Sequence, residues 1–434
     1  MTFRADTRTP GFDDQLKAFL DQKRERAADV SGVVLSIIER IRAEGDTALF
    51  DLTKELDDHD INADTIRVSR SEIEEALRAC KNETLDALAL AADRIRTFHE
   101  KQVPSGLEYT DDAGVKLGYR WSPVQAAGLY VPGGTAAYPS SVLMNALPAR
   151  AAGVDRLAMV VPASGGALNP YILAAADIAG VSEIYRIGGA QAVAALAYGT
   201  ESVAPVNVIV GPGNIYVATA KRHVYGQVGI DMIAGPSEIL VVADDQNKPA
   251  WIAADLLSQA EHDTNAQSIL ITDDAAFADA VCEAVENQLE TLLRADIARK
   301  SWTSFGAVIV VRNMNEVLPI IDDIAPEHLE LAVEAPEVLA EKVHNAGAIF
   351  LGRYTPEALG DYVAGPNHVL PTDRSAKFSS GLGVFNFMKR TSLIGVTPES
   401  LRKIGPAAVT LAEAEGLDAH AASVFIRLAS NSDE

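Results

Sequence analysis

From Trp121 to Ala149 the chain runs 29 residues without a charged side chain, and this limits the folds open to it. Such a run is long enough to cross a bilayer. Pro123, Pro132, Pro139 and Pro148, with Gly128, Gly133 and Gly134, break any continuous helix over it. The run is therefore expected to be buried in protein, as a strand, a tight turn and a short helix lining a cleft. The contrast reaches further: residues 1–120 carry 43 charged side chains and residues 121–220 only 7. A charged lobe thus precedes a largely buried centre.

Beyond that stretch, apolar runs alternate with helical periodicity. LAMVVP, EIYRIGG, VNVIVGPGN and ILVVAD read as strands, with NPYILAAADIAG, AQAVAALAYG and IYVATAKRHVYG as helices between them. A second series follows, with SILITDD, AVIVVRN and AIFLG as strands and helices over 274–294, 315–324 and 335–346. Strands alternating with helices form parallel sheets covered on both faces. The expected fold is α/β, with two incomplete Rossmann-like parallel-sheet domains.

The expected divisions are a helical N-terminal lobe over 1–120 contributing to the second α/β domain, a glycine-rich α/β domain over 121–245, a second α/β domain over 246–380, and a small helical tail over 381–434. In the first lobe, the helix from residue 71 carries a capping box from Ser71 to Glu74.

With 434 residues, 48% hydrophobic and 22% charged, the chain is large enough for two cores and has an ordinary globular composition. A net charge of −23 argues against nucleic acid or an anionic membrane as partner. Cys80 and Cys282 show no metal or disulfide spacing, which fits a reducing compartment. Neither a signal nor a transit composition is legible at the N-terminus, and cytoplasmic residence is the expectation.

The chain has 8 histidines, and four segments of its second half combine histidine with acid or amide side chains. LLSQAEHDTNAQ holds Gln259 and His262 three apart on one expected helical face. APEHLEL holds Glu327 and His328, LGDYVAGPNHVLP holds Asp361 and His368, and EGLDAHAAS holds Glu415 and His420. Four such sets suggest residues gathered by folding around one site, although each alone could be a hydrogen-bonded surface group. Glycines also crowd the expected strand-to-helix turns, at 128–134, 188–189 and 211–213. Such turns present free N–H groups to phosphate without lysines, or they are simply structural. GPGNIY has tyrosine where the third glycine of the dinucleotide fingerprint belongs, and no strand-end acid follows at the usual distance.

Taken with AGLYVPGGTAAYPSSVLM, GGAQAVAALAYGT, IDMIAGPSEILVVAD, NAGAIFLG and SSGLGVFNFMKR, these motifs resemble histidinol dehydrogenase in order and over nearly the whole chain. The resemblance implies a zinc-dependent, NAD-linked oxidation of L-histidinol through L-histidinal to L-histidine, a four-electron change using two NAD in the last step of histidine biosynthesis. It implies zinc ligands Gln259, His262, Asp361 and His420, with His420 reaching the site from the partner in an intertwined homodimer. Glu327 and His328 are implied as the catalytic pair. Ser237, Gln259, His262, His328, Asp361, Glu415 and His420 would contact substrate, and Tyr130, Gln191 and Asn214 would contact NAD. No direct role is implied for His368. His59, His99, His223 and His344 read as structural or solvated.

Three rivals stand beside this reading. A dehydrogenase with the same machinery would act on another small polar alcohol, such as a hydroxylated sulfonate. A zinc hydrolase would use Glu327 and metal-bound water without NAD. A two-lobed binding protein would keep a cleft but have no use for a base beside a metal.

Overall fold

The computed structural model describes residues 2–24, 30–133, 138–233 and 235–429. Gly134 of the first glycine-rich turn lies outside these residues. The chain divides into two compact units: residues 1–102 with 125–387, and residues 103–124 with 388–434.

The first unit contains two parallel sheets. One has five strands, ordered Glu183–Tyr185, Arg156–Val160, Ala126–Tyr130, Val208–Val210, Gly229–Ile230. Numbered along the chain this order is 3-2-1-4-5, five of the six strands of the doubly wound order 3-2-1-4-5-6. The second sheet has six strands, ordered Phe3–Asp6, Ala307–Val310, Gln267–Thr272, Glu238–Ala243, His328–Ala332, Ala348–Leu351. From Glu238 onward it repeats the 3-2-1-4-5 order, with Phe3–Asp6 added parallel to the outer edge of Ala307–Val310. The α/β expectation thus holds, with both sheets short of a full fold.

Burial on both faces explains the sequence of these strands. Every residue of Ala126–Tyr130, Glu238–Ala243, Gln267–Thr272 and His328–Ala332 is buried. The uncharged stretch becomes strand Ala126–Tyr130 and helix Pro139–Ala151, whose residues from Ser140 to Ala149 are all buried. Pro139 opens that helix, where its missing N–H costs nothing. Among the described residues no helix is long and apolar enough to cross a membrane.

Several boundaries differ from the sequence reading. ILVVAD does not close the first α/β domain: Glu238–Ala243 stands inside the second sheet, between Gln267–Thr272 and His328–Ala332. The N-terminal helices are also shared between sheets. Phe12, Leu16, Phe19 and Leu20 of helix Phe12–Arg24 pack into the second sheet's core. Helices Ser31–Glu44 and Asp46–Asp57 bury Val34, Ile37, Ile38, Ile41, Leu49 and Leu52 against the first. The capping box is Ser69 with Glu72, at the start of helix Arg70–Ala79, and not Ser71 with Glu74.

The second unit, by itself, is an antiparallel sheet of Met388–Gly395, Lys116–Pro123 and Leu107–Thr110 with helices Pro398–Ala414 and Asp418–Ala429. The tail is therefore not purely helical. Its two helices meet at Gly405, where an added Cβ would lie 3.2 Å from Leu428.

One buried ion pair fixes the turn after the fourth strand of the first sheet. Lys221 and Asp231, with side chains 2% and 0% exposed, are joined directly. The Lys221 ammonium also donates to the Gly211 carbonyl at 3.0 Å, and Asp231 accepts from the Gly211 amide at 2.7 Å. Gly211 has φ of +108°, and a Cβ there would lie 2.1 Å from the Tyr130 carbonyl oxygen, so only glycine fits. Lys221→Met leaves Asp231 buried without its partner, and we expect a loss of roughly 3–5 kcal/mol in urea unfolding. A loss below about 1 kcal/mol would show that the pair does not hold this turn.

Candidate active site

The site forms at the amino-terminal edge of the six-stranded sheet. Helix Val317–Ile324 ends at Ala325, a non-glycine residue in the left-handed region with φ of +47°. The chain then passes Pro326 and Glu327 into strand His328–Ala332. APEHLEL is thus a strand entrance. Glu327 and His328 are 6% and 4% exposed. The Glu327 carboxylate accepts the Glu238 amide at 2.9 Å, and His328 Nδ1 donates to the Glu238 carbonyl at 2.9 Å. A carbonyl can only accept, so Nδ1 carries the proton and Nε2 keeps the lone pair.

Helix Pro249–Ala260 runs back to this same edge. Gln259 lies in its last turn, 1% exposed, while His262 follows the helix end, its amide donating to the Gln259 carbonyl at 3.2 Å. The two therefore do not share a helical face. Asp361 comes from the short helix Glu357–Tyr362, and its Oδ2 lies 4.0 Å from His262 Nε2. Two zinc–ligand bonds of roughly 2.0–2.2 Å each span that gap. Gln259 Oε1, His328 Nε2 and Glu357 Oε1 are buried without hydrogen-bond partners among the described residues. Buried polar atoms left open in this way are expected where a ligand completes the set.

The electrostatics are those of crowded, dry carboxylates. Burial raises the Glu327 pKa well above its usual range, opposed by the Glu238 amide and reinforced by Glu238, Asp361 and Glu357. Burial, then Asp361, pushes Glu357 up to about 9. Behind it Glu330 accepts the Glu357 amide at 2.5 Å and shares a hydrogen bond with Asp255, whose pKa burial pushes up to about 6. Burial lowers the His328 and His368 pKa values, which keeps both imidazoles neutral.

Glu357, Glu238 and Ser141 are absent from the residues singled out by sequence. Glu357 was legible in principle, four residues before Asp361 and so on the same helical face. His328, Glu357 and Asp361 bring one ligand atom each to within 4.8 Å of one another, a second possible metal set that shares only Asp361 with the expected one.

His368 links this edge to the first sheet. Its Nδ1 donates to the Asp361 carbonyl at 3.0 Å, and its Nε2 faces Ser141 Oγ at 3.3 Å, at the start of helix Pro139–Ala151. The adjacent Asn367 donates to the Met144 carbonyl at 2.6 Å. The carboxyl ends of the first sheet's strands thus face the amino edge of the second. At those ends stand Tyr130, whose hydroxyl accepts the Gly189 amide at 3.1 Å, Gln191, fully buried, and Asn214, which caps helix Ile215–Val224. Ser237 is half-buried and immediately precedes Glu238. Glu415 and His420 belong to the second unit, where both are exposed.

A family model described as histidinol dehydrogenase matches residues 20–428. A histidinol dehydrogenase of Rhodopseudomonas palustris is 60% identical over 428 residues, 99% of each chain. One of Rhodospirillum rubrum is 61% identical over 429 residues, again 99% of each. The crystal structure of histidinol dehydrogenase from Elizabethkingia anophelis superposes with a TM-score of 0.93 at 36% identity, covering 99% of both chains. This chain belongs to the histidinol dehydrogenase family.

Proposed function

We propose that the protein oxidises L-histidinol to L-histidine through L-histidinal, using zinc and two NAD in turn, as the last step of histidine biosynthesis. The observation that carries this reading is a neutral, Nδ1-protonated His328 that shares a cluster of possible ligand atoms with Asp361, which in turn faces His262. Bound there, zinc would hold the substrate's imidazole and amine and offset the crowded carboxylates, while NAD on the first sheet would take up hydride.

The chain's own residues supply the proton handling. His328 Nε2 accepts the hydroxyl proton as the alcohol becomes aldehyde, the Glu238 carbonyl fixing the ring that does so. Glu327, placed beside it by the Glu238 amide, removes a proton from the water that adds to the aldehyde, in the carboxylate form that bound cation charge would restore to it. His328, having released its first proton to solvent, then accepts the hydroxyl proton of the hydrated aldehyde in the second oxidation. Ser237, Glu415 and His420 complete the grip on substrate. Tyr130, Gln191 and Asn214 hold NAD, a role favoured by the 3-2-1-4-5 strand order, which places ligands beyond the carboxyl ends of the strands.

His420 reaches the site from a second copy in a homodimer. Exposed apolar side chains on the unit that carries it, including Leu411 at 65%, Phe425 at 60% and Ile394 at 74%, support a partner there. Cytoplasmic residence accords with the two cysteines, both free.

NADH formed per L-histidinol consumed tests the whole reading: two, with histidine as product, are expected, and none would point to a hydrolase or to another alcohol. A strong chelator should abolish this turnover and zinc restore it. Glu327→Gln should slow aldehyde oxidation by roughly a hundredfold or more while slowing alcohol oxidation less, and equal losses would remove its assignment to the hydration step. Mixed dimers of inactive His420→Ala and inactive His262→Ala subunits should regain part of the activity, since one site then keeps both ligands. No recovery in verified mixed dimers would exclude a shared site.

A further inference from the structure

A dinucleotide half-fold places an acid at the end of its second strand, where it reads the ribose hydroxyls and repels a 2′-phosphate. Here the second strand, Arg156–Val160, runs into Val161, Pro162, Ala163 and Ser164, and no carboxylate follows. A carboxylate reaches the same strand ends from elsewhere. Helix Asp46–Asp57 ends at Asp57, and Asp58 turns the chain in the left-handed region with φ of +52°. Asp57 Oδ2 accepts from Gln191 Nε2 at 3.1 Å, on the helix after the third strand. His59 lies against the turn after the second strand, where a Cβ built on Gly166 would come 2.9 Å from its ring.

Two buried atoms in this corner are left open. Gln191, fully buried, has no hydrogen bond to Oε1, and His59 has none to Nε2, among the described residues. Asp57 is half-buried, and only its Oδ2 is engaged among the described residues. An acceptor oxygen beside an open amide oxygen suits a pair of hydroxyl donors, and one negative charge in so dry a corner disfavours a second.

We propose that Asp57 takes the place of the missing strand-end acid, reading the adenosine ribose of the nicotinamide dinucleotide and excluding the 2′-phosphorylated form. This rests on the reading of the first sheet as the nucleotide side. A specificity-determining carboxylate thus comes from the N-terminal helices, which explains why those helices pack on the first sheet.

Titration of the purified protein with NADH and with NADPH, followed by nicotinamide fluorescence, reads both dissociation constants without turnover. The parent protein should bind NADH at least about tenfold more tightly than NADPH, and Asp57→Asn should narrow that ratio by about tenfold or more. Asparagine keeps an acceptor for Gln191, so the change isolates charge from the structural tie. Asp57→Ser, measured in the same way, serves if Asp57→Asn does not fold. An unchanged ratio in a variant with the parent's melting temperature overturns the proposal, as does a parent that binds NADPH equally well. Asn214→Asp keeps its helix cap while placing negative charge where the pyrophosphate is expected. If it weakens NADH binding and Asp57→Asn leaves the ratio unchanged, the proposal alone fails. If neither changes binding, the nucleotide side itself is misread.

Discussion

A parallel strand covered on both faces has no side from which a charge can reach water, and most of this molecule follows from that constraint. Residues 121–220 hold 7 charges because the first sheet and its covering helices leave almost no outward face. The charges that do enter a sheet must be paired, hydrogen-bonded or neutralised. Lys221 and Asp231 are paired. Glu327, Glu330 and Glu357 are held toward the neutral form. What distinguishes the second sheet is where its polar side chains lie: on strand His328–Ala332 and on the two helices that meet its amino edge.

This edge inverts the usual geometry of open α/β sheets, in which ligands collect beyond the carboxyl ends of strands. Two sheets of like strand order here present opposite edges to one another. Reactions that need a base and an acceptor on opposite sides of one small molecule are well served by such an arrangement. The cost is a set of buried acids and open polar atoms at the second sheet's edge, tolerated because the surrounding strands are fully packed.

Legibility in the sequence followed packing. Runs such as SILITDD and AVIVVRN announced strands because nothing polar interrupts their buried cores. HLELA escaped notice as a strand because His328 and Glu330 break the apolar run, and those same polar residues announced the site instead. VSRSEIEE offers two overlapping capping boxes, and local chemistry cannot choose between them. Burial of Ile73 and Ala76 decides for Ser69 with Glu72. Strand Met388–Gly395 was invisible because its partner, Lys116–Pro123, lies far away in sequence. Glu357 and Asp57 were missed for a related reason, since their roles depend on neighbours supplied by distant segments. Of the candidate residues carried by local motif, His262 faces Asp361, and Glu327 and His328 adjoin, while the helix expected to align Gln259 with His262 ends before His262.

The segment from Asp361 to His368 is a closed loop, its two ends joined by the hydrogen bond from His368 Nδ1 to the Asp361 carbonyl. It is pinned at one end by a residue of the second sheet's edge and at the other by buried hydrogen bonds to helix Pro139–Ala151. The spacing of the two sheet edges therefore rests on where the loop closes, at Asn367 and His368, and not on how much chain lies between. Extra residues at the tip could bulge outward and be tolerated over evolutionary time, whereas a change that unseats either end would part the two edges, so the loop's ends should be far less variable than its tip.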